Sequence, residues 1–186
     1  EDSMHARTLS MVAVAGASLL LVTACDVDFI AGPSHVKSGE QVQYQLRVFA
    51  QEARSNATVH LAGDVPLSWV LDSAQFQASI GGGVSGSLTV HPSNPGVITG
   101  LPGVPAGHRR IYLSAGPFTT ITADDAGTAL LNFTAAGAQG AYTITFWAGV
   151  SVDPVVPEPE WSFSKAVRVT APAPAGQSES DRALIR

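Results

Sequence analysis

Cysteine is all but missing from this chain: Cys25 stands alone, so no internal disulfide can form. A domain without disulfides must be held by its core alone. Charge is scarce too, at 13% of residues, and a small excess of acid sets the net charge at −5. A mildly acidic chain lacks the electrostatic footprint of a nucleic-acid binder, so no nucleic-acid partner is expected. No window carries a capped apolar stripe at helical spacing. The 18 glycines and 12 prolines add frequent turns, and with many Thr, Val and Ser they favour short strands.

The signatures of catalysis are missing as well. There is no Gly-x-Ser-x-Gly elbow. Gly81-Gly82-Gly83 has no following Lys-Ser/Thr to make a phosphate cradle. No carboxylate pair stands out with acid/base logic. His35, His60, His91 and His108 share no metal-ligand spacing. Asp124 and Asp125 could offer oxygens to calcium, but the alternating acidic pattern of a dedicated loop is missing. With Ala126 and Gly127 they read as a tight turn. The expectation is a chain that is not an enzyme, with no catalytic residue, no metal site and no cofactor.

What is present begins at the N-terminus. Glu1-Asp2-Ser3 are acidic, unlike a signal start, so Met4 is taken as its first residue. Met4-His5-Ala6-Arg7 carries one fixed positive charge, and Thr8 to Ala24 carries none of either sign. A positive start, an apolar middle and small residues before a cut are the order of a secretory signal. The apolar run is marginal for a membrane span, which needs about 20 residues; an uncleaved N-terminal anchor is the alternative. Val22-Thr23-Ala24-Cys25 resembles the lipobox of bacterial lipoproteins. The resemblance implies cleavage before Cys25, a diacylglyceryl group on its thiol, and acyl chains such as palmitate. Two or more chains give stable anchoring where one is marginal. It implies a membrane lipid as partner through Cys25 and a place in the bacterial cell envelope. Asp26 resembles the inner-membrane retention signal of enteric bacteria; that rule depends on the host, and the leaflet stays open.

Residues 1–24 are thus a signal peptide, 25–36 a lipidated tether, 37–170 one domain and 171–186 a polar, disordered tail. Ser38-Gly39-Glu40 is a turn. After it Val42, Tyr44, Leu46 and Val48 alternate with Gln41, Gln43, Gln45 and Arg47, the period of a half-buried antiparallel strand. Ala57 to Leu61 is its expected partner, broken by Asp64-Val65-Pro66. Short strands are expected at Ser68 to Leu71, Phe76 to Ile80, Gly86 to Val90, Ile111 to Ala115 and Thr119 to Thr122. His91 to Arg110 reads as a long loop with at most a fragment of strand at Val97-Ile98. Thr128 to Thr134 and Ala141 to Ala148 read as a hairpin around Gly137 and Gly140, and Trp161 to Val169 as the last strand. Short strands at this spacing, with no long helix, make an all-β antiparallel sandwich.

Two segments resemble bacterial immunoglobulin-like repeats of the invasin and intimin type. Ser38-Gly39-Glu40-Gln41-Val42-Gln43-Tyr44 is similar to their strand-opening motif. Thr122-Ala123-Asp124-Asp125-Ala126-Gly127-Thr128-Ala129, followed by Gly140-Ala141-Tyr142-Thr143-Ile144-Thr145, is similar to their turn and hairpin. The resemblance implies an immunoglobulin-like sandwich that is adhesive or a spacer. Candidate ligand-binding residues are His108, Arg109 and Arg110, which could hold a small anion, and Trp161, the aromatic best placed to stack on a sugar. Trp69 and Trp147, with Tyr44, Tyr112 and Tyr142, read mostly as core. The function expected is a lipid-anchored envelope protein with a non-catalytic domain that binds an envelope protein or glycan or acts as a spacer. A carbohydrate-binding surface module is the alternative.

Overall fold

A computed structural model describes residues 25–50, 53–78, 85–95, 98, 100–122, 125–150 and 162–172. The signal segment, Gly81-Gly82-Gly83, Asp124, Trp161 and all of the tail beyond 172 lie outside the described residues. These hold eleven strands and no helix: β1 (Cys25–Ala31), β2 (His35–Lys37), β3 (Glu40–Ala50), β4 (Arg54–Pro66), β5 (Val70–Ala78), β6 (Ser85–Ser87), β7 (Thr89–His91), β8 (His108–Ile121), β9 (Ala126–Ala135), β10 (Gly140–Val150) and β11 (Ser162–Thr170). Sheet I has the order β1-β3-β9-β5-β6 and sheet II the order β2-β11-β10-β4-β8-β7. The two pack face to face as an immunoglobulin-like β-sandwich. Pairing is antiparallel except between β2 and β11, which run parallel.

The alternation in β3 carries through: Val42, Tyr44, Leu46 and Val48 are buried, and Gln41, Gln43, Gln45 and Arg47 are exposed. Its turn follows from local chemistry. Gly39 takes φ +87°, and the Glu40 carboxylate accepts the Lys37 backbone N–H at 2.7 Å. From β9, Ala129, Leu131, Phe133 and Ala135 enter the same core. Sheet II answers with Leu61, Val65, Ile111, Leu113, Ile144 and Phe146. Trp69 lies at the centre, its ring 5.9 Å from Tyr44 and 5.8 Å from Phe133. The Tyr44 hydroxyl donates to the Pro33 carbonyl at 2.8 Å, so its one polar atom is satisfied. Burial, with Glu40 nearby, raises the Tyr44 pKa and keeps it neutral. Each such ring or aliphatic side chain contributes about 1.5–3 kcal/mol by leaving water.

The structure corrects several sequence expectations. The segment read as a tether from Cys25 to Pro33 holds β1, paired along β3 from Cys25 opposite Ala50 to Ala31 opposite Gln45. The sandwich strands therefore begin before residue 37. The segment Ala57 to Leu61 does not pair with β3; it belongs to β4 in the other sheet, between β10 and β8. Asp64-Val65-Pro66 does not break that strand, because Asp64 has a partner across the ladder and Pro66 sits at the strand's last position. The expected hairpin is absent too: β9 lies in sheet I and β10 in sheet II, so the turn at Gly137 crosses between sheets. Ser68–Leu71 and Phe76–Ile80 give way to one strand, β5. Ile111–Ala115 and Thr119–Thr122 are likewise one strand, β8. A register shift opposite Ala57 and Val59 absorbs Gly116 and Pro117 and returns Phe118 to the core. Ile98 makes no strand.

Gly63 makes room for the buried ring of Phe146, its partner on β10 in the same sheet, since a Cβ there would meet that ring. Gly63→Ala is expected to cost about 1–3 kcal/mol in urea denaturation. Gly86→Ala, with open space at its Cβ, should move the midpoint little.

Candidate functional site

One face of sheet II looks into the core; the other is covered as well. Along β4, Val59, Leu61 and Val65 point inward, yet His60, Ala62 and Asp64 between them are also buried. Ile98, Leu101 and Pro102, between β7 and β8, lie over this part of the outer face. Ile98 packs on Ala62 and Trp147, with Leu101 and Tyr112 half-buried against them. Trp147 is thus buried as expected, but in a small second core outside the sandwich. Asn94 Nδ2 donates to the Ile98 carbonyl at 2.7 Å and holds the loop down.

Asp64 and Arg110 face each other here. Arg110 Nε donates to Asp64 Oδ1 at 2.6 Å and Nη2 to Oδ2 at 2.7 Å, a bidentate pair with side chains 7% and 2% exposed. Arg110 Nη1 also donates to the Pro102 carbonyl of the loop at 2.8 Å, and the guanidinium lies 5.0 Å from the Trp147 ring centre. The hydrogen bond to Asp64 raises the Arg110 pKa against the opposing effect of burial.

The three basic residues singled out by the sequence therefore do not converge. Arg109 turns the other way from Arg110 and gives its Nη2 to the Trp69 carbonyl at 2.7 Å. His108 opens β8 opposite Pro66, its Nδ1 3.1 Å from the Ala106 carbonyl and its ring edge-on to Tyr142. Cys25 is the first residue of β1.

A second polar group on this face has no signal in sequence spacing. The β4–β8–β7 ladder brings His60 opposite Ser114 and His91 beside both. His91 Nε2 is 2.8 Å from Ser114 Oγ, and the rings of His60 and His91 are 6.4 Å apart. His60 is 6% exposed, and neither ring nitrogen has a partner among the described residues. Burial, and then His91, lower the His60 pKa. A serine beside an imidazole can share a proton, but among the described residues no carboxylate orients either ring.

No protein-family model matches the chain, and no curated protein matches it. Solved structures resemble it in outline. AvmM, which catalyzes macrocyclization in alchivemycin A biosynthesis, is 13% identical over 84% of this chain and 94% of its own, with a TM-score of 0.49. The collagen-binding domain of a Staphylococcus aureus adhesin is 8% identical, covering 75% and 95% at a TM-score of 0.45. A cohesin module from a Clostridium perfringens family 33 glycoside hydrolase is 15% identical, covering 81% and 99% at 0.47.

Two outcomes follow from the geometry. Arg110→Met leaves Asp64 buried and unpaired and should cost about 3–5 kcal/mol, whereas Arg110→Met with Asp64→Leu should recover much of that loss in the same denaturation assay. For His60, the unfolded chain takes up a proton near pH 6.5 more readily than the folded one. Stability is therefore full above about pH 6.5 and falls as the pH drops below it. His60→Gln should flatten the dependence of the urea midpoint between pH 7.5 and pH 5.

Proposed function

We propose that this chain is a lipid-anchored protein of the bacterial cell envelope, whose non-catalytic immunoglobulin-like domain binds another macromolecule or acts as a spacer. The position of Cys25 carries this reading. Val22-Thr23-Ala24-Cys25 would leave Cys25 as the first mature residue, and Cys25 opens β1 opposite Ala50. The anchor is then continuous with a strand of the sandwich. Ala50, Thr122 and Asp125 share that end, where the Ala50 N–H donates to the Asp125 carbonyl at 2.8 Å. Gly39, Leu67 and Gly137 sit at the other end, which faces away from the bilayer. A strand paired from its first residue gives the domain little reach from the membrane. The non-catalytic part of the reading is supported by the engagement of Asp64 and Arg110 with each other and with the loop.

Metabolic labelling with a palmitate analogue in a bacterial host tests the anchor. The wild type should take up label and fractionate with membranes, and Cys25→Ser should do neither. Equal label on Cys25→Ser, or none on the wild type, would sink the proposal.

A further inference from the structure

The outer face of sheet I differs from that of sheet II: Ile98, Leu101 and Pro102 cover part of sheet II, while this face is exposed along β3 and β5. Five of the chain's eight glutamines stand on it, Gln41, Gln43 and Gln45 on β3 and Gln75 and Gln77 on β5. Two of them, Gln43 and Gln45, are tied into a row of hydrogen bonds. Gln45 Nε2 donates to Gln43 Oε1 at 3.4 Å, Gln43 Nε2 to Asn132 Oδ1 at 3.0 Å, and Asn132 Nδ2 to Ser73 Oγ at 2.9 Å. This one-way chain of hydrogen bonds crosses β3, β9 and β5 and fixes side chains that would otherwise rotate freely. Arg47 at the margin pairs with Asp28 at 3.3 Å, and Asp72, the one carboxylate beside the row, accepts the Thr134 hydroxyl at 2.8 Å. A depression of about 340 Å³ lies between Gln41, Gln43, Asp72, Ser73 and Asn132, at the lower end of the size of ligand pockets.

We infer that this face binds a neutral oligosaccharide laid across the strands. An anion would need a net positive field, which the paired Arg47 does not supply. A protein partner would be met by a centre rich in aromatics and arginine, and here the centre is amide and hydroxyl. A face serving solubility alone would gain more from lysine and glutamate than from glutamine. Amides both donate and accept, as sugar hydroxyls do, so each can bridge two neighbouring hydroxyls. Neighbouring strands lie about 4.8 Å apart, close to the advance of one pyranose unit along an extended chain. The row Gln43, Asn132, Ser73 therefore offers one polar contact per sugar. In the adjacent row Leu130, half-buried between Gln45 and Gln75, offers an apolar spot for the C–H face of a ring. The inference rests on the reading of the domain as a binder and is independent of the lipid anchor.

The test is affinity electrophoresis of the purified full chain, followed by calorimetry with cellohexaose, mannohexaose and a hexamer of N-acetylglucosamine. At least one probe should bind. Gln43→Ala with Asn132→Ala should weaken it about tenfold or more, two hydrogen bonds' worth, with the thermal midpoint unchanged. Trp161→Ala should bind as the wild type does. Absence of binding to all three probes overturns the inference and leaves the palmitate labelling result untouched. Binding that survives the double substitution, or that is lost in Trp161→Ala, also overturns it. So does a chain whose sheet I face proves, by sedimentation, to be closed by a second copy.

Discussion

Strand β4 of sheet II is buried on both faces because Asp64 and Arg110 neutralise each other. A lone carboxylate on the outward side of β4 would have to stay in water or lose its charge. Paired in bidentate fashion with the next strand, it can be covered, and the loop residues Ile98, Leu101 and Pro102 do so. The same guanidinium holds that loop through the Pro102 carbonyl and lies over Trp147. The ion pair thus joins β4 to β8, the loop and Trp147 at one point, beside the small core of Ala62, Ile98 and Trp147. This arrangement uses two of the few charges in the chain for structure.

The two outer faces of the sandwich consequently have different chemistry. That of sheet II is covered over β4, β8 and β10 and its Asp64 charge is neutralised there, with His60 buried and His91 half-buried beside Ser114. That of sheet I is open and polar, with amides and hydroxyls in its central row and the carboxylate of Asp72 beside them. Under the proposed anchor, Cys25 holds one end of sheet I at the membrane. The strands lead away from that end, and the glutamine face stands at the side of the domain. A flexible tether would have given the domain a longer reach from the membrane; pairing of β1 with β3 from Cys25 onward does not.

The parts legible in the sequence were those governed by local rules. The alternation of β3 could be read residue by residue, because one face meets the core and the other meets solvent. The turn at Gly39 could be read because only a few residue types tolerate its backbone. What misled was local evidence with a non-local answer. Asp64-Val65-Pro66 looks like a strand breaker until Arg110, distant in sequence, appears opposite. Gly116-Pro117 looks like a gap between two strands until a register shift absorbs it. The segments around Gly137 look like a hairpin because both alternate, and alternation does not say which sheet a strand joins. Likewise His108, Arg109 and Arg110 form a basic run in sequence, but successive strand residues point to opposite faces, so Arg109 and Arg110 have different partners.

By itself, the sequence determined the fold class and the alternation of its clearest strand: an all-β sandwich with no internal disulfide. These depend on composition and on a two-residue period, both of which are local. The tertiary structure alone decided which strands share a sheet, that Cys25 opens a paired strand, and which outer face is covered. It also assembled the Gln43, Asn132 and Ser73 row and the group of His60, His91 and Ser114. The physical reason is that a ladder joins residues by register across strands, and register is set by the packing of whole sheets.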